Sequence, residues 1–253
     1  MASLTSLQHR TTLALCILCL TLLTACGGMR SISDSGYHDD RGGGTSSNPY
    51  YKGELSELDV LGIDLSRAIT EQEIASTLDA SKRFSLRKGS AVLLIQSGAP
   101  MPDEGMSQVL EKYFNVGVFS GVPLTTEGAA SMEKGRYSHT LRLAAAQGGY
   151  QSIICYWGVL EAAQKGLATK SVSWVPVVGW VLPDETQDMR IRLKVALIDV
   201  RSGTWSIFSP AGHQDQSSSG TFSRAGVDQA QVAKLKAQAY QEAAEELVKR
   251  YTD

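Results

Sequence analysis

The sequence predicts an α/β fold: a two-layer arrangement of a mixed β-sheet packed against helices, ending in a long C-terminal amphipathic helix. Three observations predict it. The first half of the chain alternates apolar runs of strand length with stretches of helical periodicity. The second half is a series of strand patterns joined by a hairpin signal. The final stretch carries apolar residues at spacings of three and four. Alternation followed by hairpins is the signature of a sheet with both parallel and antiparallel pairs.

In chain order, residues 1–25 read as a signal peptide. His9 and Arg10 precede an apolar run over 11–25, and the first acidic residue is Asp34. The run is too short for a spanning helix, which needs about 20 residues. Residues 26–52 are dominated by Gly, Ser and Asp and read as a flexible tether. A single folded unit is expected over 53–253.

Within that unit, Thr70 and Glu73 form a capping box for a helix to about residue 80. Residues 91–95 are continuously apolar, as in a strand covered on both faces. Met106, Val109, Leu110 and Tyr113 place a helical face over 103–114, and 116–119 is a short strand. Ser138 is expected to cap a helix that runs to Gln147 and ends at Gly148 and Gly149. Residues 151–160 and 171–182 read as strands. Pro176 inside the second assigns it to an edge or a bulge, because proline cannot donate to a ladder.

Residues 189–200 alternate, with Arg190, Arg192 and Lys194 on one face and Ile191, Leu193, Val195 and Leu197 on the other. Residues 199–203 are a hairpin turn with a return strand over 204–208, and 210–226 is expected to be a polar loop. Val232, Leu235, Ala239, Ala243, Leu247 and Tyr251 line one face of a helix over 227–251.

Composition narrows the function. In 253 residues, 24 basic side chains stand against 26 acidic ones, which gives no basic face for nucleic acid. A hydrophobic fraction of 43% excludes wholesale disorder. Four cysteines are too few for a disulfide scaffold, and Cys16 and Cys19 lie in the leader. Cys155, within an apolar run, reads as a buried small hydrophobe.

Leu23, Thr24 and Ala25 before Cys26 resemble the bacterial lipobox. The resemblance implies diacylglyceryl transfer to Cys26, cleavage before it and acylation of the new amino terminus. Several acyl chains together give stable anchoring where one does not. Gly27 stands where the lipoprotein pattern places Asp for inner-membrane retention, which favours the outer membrane; the periplasmic side is the expected face. The helix, glycine corner and strand over 143–154, the "D-x-x-x-G" hairpin of Asp199 and Gly203, and the terminal helix resemble a group of periplasmic lipoproteins. These are built on the fold of the Tol translocation protein's amino-terminal domain. The group includes penicillin-binding-protein activators and the curli-secretion lipoprotein. Unlike the latter, this chain has only the short polar stretch 210–226 where a pore hairpin would be needed. The segment 173–179 also resembles a narrower family of proteobacterial lipoproteins.

Motif searches return no zincin H-E-x-x-H, no G-x-S-x-G and no phosphate-binding loop. His38 lies in the expected tether and carries no metal assignment. His139 reads as a solvated helix residue. His213 stands near Asp215 and three serines in the expected loop. Trp174, Pro176, Val178 and Trp180 fall on one face of the expected edge strand, either as core or as a partner-binding edge. The basic stripe Arg190, Arg192 and Lys194 is either a solvated face or a surface for an acidic partner or anionic lipid.

These readings point to a membrane-anchored periplasmic accessory lipoprotein that binds another cell-envelope protein, with no catalysis, cofactor or metal. The alternative is a hydrolase or peptidase using a serine with His213. Self-association through the open edge is a third reading.

Overall fold

The computed structural model describes residues 30–34, 48, 50–80, 83–123, 136–165, 172–176, 187–217 and 224–252. One sheet contains β1 (Arg30–Ser31), β2 (Ala91–Gln96), β3 (Asn115–Phe119), β4 (Ser152–Lys165), β5 (Val172–Pro176), β6 (Gln187–Asp199), β7 (Trp205–Phe208) and β8 (His213–Ser217). The described helices are α1 (Glu57–Leu61), α2 (Glu71–Ala80), α3 (Glu104–Glu111), α4 (Arg136–Gln147) and α5 (Arg224–Tyr251).

The central path is β3-β2-β4-β6-β7. β2 is parallel to β3 and β4, whereas β6 is antiparallel to β4, β7 and β8. The fold class is therefore the expected one: α/β, with a mixed sheet and a long terminal helix.

Strand parity divides the core in two. On one face Leu94, Ile154, Tyr156, Ile191, Val195 and Leu197 meet α3 and α5. The apolar stripe of α5 is buried there from Val232 through Leu247, so it packs on the sheet rather than forming a coiled-coil seam. On the other face Leu93, Ile95, Ile153, Cys155, Ala196 and Ile198 meet α1 and α4. Among the described residues, two-layer packing thus holds along the outer half of β4 and β6, where Arg190 and Arg192 occupy the second face. A third layer covers the half nearer β2. The fully apolar runs of β2 and of β6 beyond Val195 are the sequence trace of this double cover.

The turn chemistry follows the sequence closely. Thr70 Oγ1 accepts the Glu73 N–H at 3.2 Å and starts α2. Gly149, at φ +80°, ends α4 in the left-handed conformation that glycine adopts without strain. Asp199 Oδ1 accepts from Ser202 N at 2.6 Å, and Gly203 N donates to Asp199 O at 2.8 Å, closing the hairpin.

Three local expectations change. The stretch read as a tether contains β1: Arg30 pairs with Leu160 and Ser31 with Val159, while Ile32 is 1% exposed. The cause is Ile32, a single strong apolar residue whose burial on the sheet outweighs its Gly- and Ser-rich surroundings. The polar stretch 210–226 contains β8, whose sequence carries no apolar alternation and which forms by pairing its backbone with the edge of β6. Ser138 lies inside α4 and is buried, with its Oγ 2.9 Å from where a Cβ on Gly62 would sit, so it packs α4 on α1 instead of capping.

Candidate functional site

A groove of about 610 Å³ opens on the second face of the sheet, at the boundary between its covered and uncovered halves. Its wall is the segment 51–55 leading into α1; its floor is formed by β4 and β6. Ser56 accepts the Asp59 N–H at 3.4 Å and fixes the start of α1. Leu55 N donates to Ser97 Oγ at 2.7 Å, and the Trp157 indole N–H donates to Leu55 O at 2.9 Å. These two bonds, forty or more residues apart in sequence, hold the wall on the sheet. The lining combines Tyr51, Glu54, Leu58, Trp157, Arg192 and Lys194, giving an apolar floor with a charged rim.

Most of the rim charge is paired. Lys194 Nζ meets Glu57 Oε1 at 2.5 Å. Arg190 Nε donates to Glu161 Oε2 at 2.5 Å, and Arg192 donates to both Glu161 oxygens. Burial of Glu161 pushes its carboxyl up, but the hydrogen bonds and charges of Arg192 and Arg190 outweigh that and hold it below the usual carboxylate value. The basic stripe is therefore paired within the chain: Glu161, on β4 opposite Arg190, holds both arginines, and Glu57 on α1 holds Lys194.

Glu54 is different. Its Oε1 accepts from Tyr51 OH at 3.4 Å, while the buried Oε2 has no hydrogen-bond partner among the described residues. Burial pushes the Glu54 carboxyl up, and the nearby Ser31, Ser97 and Tyr51 hydroxyls offset only part of that. Burial, then the charge of Glu54, pushes the Tyr51 phenol up to about 12. The Glu54 carboxylate thus sits at the side of an apolar groove, an acceptor suited to an N–H or ammonium donor.

The residues singled out in the sequence fare unevenly. Cys26, His38, Val178 and Trp180 lie outside the described residues. Trp174 and Pro176 lie on β5, with Ala163 and Glu161 as register partners, and β5 pairs only with β4 among the described strands. His213 is on β8 opposite Ile191, and Asp215 is opposite Met189. His139 is exposed on α4. Cys155 is buried, and burial, then the charges of Glu54 and Glu57, push its thiol well above its ordinary value, so it packs as a small hydrophobe. No group of three or more metal-ligating side chains occurs among the described residues, and no described helix is long and apolar enough to cross a membrane.

Sequence reasoning missed Glu54 and Glu161. A signal for Glu161 existed: a lone acid at the end of an apolar strand, in a chain with a strand of alternating arginines. Glu54 had no such signal, because its meaning depends on Ser97 and Trp157 arriving beside it.

An α/β domain following a lipobox defines a class, the bacterial lipoproteins. Within it, the chain belongs to the YafT bacterial lipoprotein family, whose model matches residues 56–250. No curated protein matches the chain. Among solved structures, it is similar to the lipoprotein GNA1162 of Neisseria meningitidis, at 11% identity and a TM-score of 0.28, covering 59% of this chain and 99% of that one. It is similar to a PelC dodecamer of Paraburkholderia phytofirmans, at 14% identity and a TM-score of 0.26, covering 62% and 92%. A Chlamydia trachomatis protein, CT253, is similar at 12% identity and a TM-score of 0.31, covering 64% and 95%.

Proposed function

We propose that this lipoprotein is held by lipid on Cys26 at the periplasmic side of the outer membrane and acts as an accessory protein. On this reading it binds a segment of another cell-envelope protein in the Trp157 groove and carries out no catalysis itself. Family membership and the lipobox support the anchor, and Gly27 after the cysteine supports the outer membrane.

The observation that carries the binding role is the Glu54 carboxylate at the side of an apolar floor, its buried Oε2 without a donor among the described residues. The segment it suits brings an apolar side chain to Trp157 and Leu58 and an N–H or ammonium donor to Glu54. Apolar centre and polar rim are the general anatomy of a protein interface.

Capture of envelope proteins by the full lipidated chain tests this reading. Leu58→Asp and Glu54→Ala should each remove the same partner, while Trp174→Ala and Trp180→Ala, at the expected partner-binding edge, should leave that capture unchanged. An identical captured set for wild type and both groove variants would overturn the groove as the binding surface.

A further inference from the structure

The anchor and the sheet are much closer in the chain than the tether reading implies. β1 begins at Arg30, four residues after Cys26. Four residues span at most about 14 Å. The first part of the domain is also firmly held. Ile32 N donates to Gly158 O at 3.0 Å, Ser33 Oγ donates to Ser97 O at 2.6 Å, and Lys236 Nζ donates to Ile32 O at 3.1 Å.

Register identifies what lies next to this short leash. β6 occupies one side of β4 from Ser152 to Ala162, so β1 and β5 must share the other side. Arg30 stands opposite Leu160 and Pro176 opposite Glu161, in consecutive positions on that edge. The chain therefore enters β1 beside the last residue of β5. The sequence from 171 to 182, which includes β5, contains no charged residue and two tryptophans. Tryptophan flanked by apolar residues is the composition that settles at a membrane–water interface. At the opposite end the hairpin 199–203 is eight residues further along β6 than Ile191, about 26 Å away.

From this placement we infer that the β5 edge is a bilayer-contacting surface. The lipid on Cys26 sets that edge against phospholipid, and the 199–203 hairpin points away from it into the periplasm. The inference rests on the lipid-anchor reading above and adds an orientation to it. Because Ser31 lines the groove, a partner there is also met close to the membrane.

The test uses the full lipidated protein in phosphatidylethanolamine–phosphatidylglycerol vesicles carrying an energy-transfer acceptor on the headgroup. A donor is placed by Ser173→Cys, by Gln187→Cys as a second reporter at the same end, or by Ser202→Cys on the hairpin. Transfer should be severalfold stronger from 173 and 187 than from 202. A long Gly/Ser insertion between Gly28 and Met29 should reduce the difference. Equal transfer from both ends, or stronger transfer from 202, overturns the orientation while leaving the anchor intact. Protein that fails to float with vesicles removes the anchor itself, and the orientation with it.

Discussion

Lys236 reaches from the long terminal helix to Ile32, donating to its carbonyl at 3.1 Å and to Asp103 Oδ2 at 2.8 Å. Tyr240, one turn further along α5, donates to the same Asp103 oxygen, and its ring meets that of Tyr156 edge-on at 5.9 Å. One helix thus clamps both the start of α3 and the segment that follows Cys26. Replacing Ile32 with Ala should cost about 2–5 kcal/mol, read as a lower denaturant midpoint, because a fully buried side chain is removed from a site closed on all sides. A change within ±0.5 kcal/mol would show that 30–34 is not part of the folded unit.

Gly158 is where β4 leaves room for that side chain. A Cβ there would come within 2.7 Å of Ile32 Cγ1. Gly158→Ala should destabilise by about 1–3 kcal/mol through overpacking. In the Ile32→Ala background the same change should cost clearly less, since the colliding atoms are gone. Strict additivity in this double-mutant cycle would contradict the packing described.

Glu161 makes stability depend on acid. Its folded carboxyl lies below the ordinary value of 4.5, so its contribution is complete above that pH and is lost as pH falls through the lower folded value. Glu161→Gln should lower stability at pH 7 by about 1–3 kcal/mol, the scale of hydrogen bonds to a charged group. The variant should also show a shallower fall below pH 4.5. Parallel pH curves for the two proteins would count against the clamp on Arg190 and Arg192.

Glu54 should behave in the opposite sense. Its folded carboxyl lies above 4.5, so the native state binds the proton more tightly and loses stability as pH rises from 4.5 through the folded value. Glu54→Gln should therefore raise the thermal midpoint at pH 7 and make little difference at pH 4. A midpoint lowered at pH 7 would mean that the carboxylate is satisfied within the domain and is not waiting for a donor.

The fold was largely legible because its signals are local. The stripe of α5, the Thr70–Glu73 cap, the Asp199–Gly203 turn and the glycine end of α4 are each decided by residues within a few positions of one another. What was hidden depends on distant partners. Ile32 is one apolar residue in polar sequence, and only the hole at Gly158 and the reach of Lys236 explain its burial. β8 is polar throughout and is a strand only because β6 offers an open edge. The same holds for the groove: Tyr51 and Glu54 gain significance from Ser97, Trp157 and the arginines of β6, none of which is near them in the chain. The basic stripe was correctly placed on one face, but the hold of Glu161 on Arg190 and Arg192 required the β4–β6 register.

Lipid on Cys26 underlies both the anchored role and the orientation, and the mass of the mature amino-terminal peptide tests it directly. A peptide beginning at Cys26, carrying a diacylglyceryl thioether and an acylated amino group, is the predicted result. A free Cys26 thiol, or a mature chain that keeps residues 1–25, would contradict it.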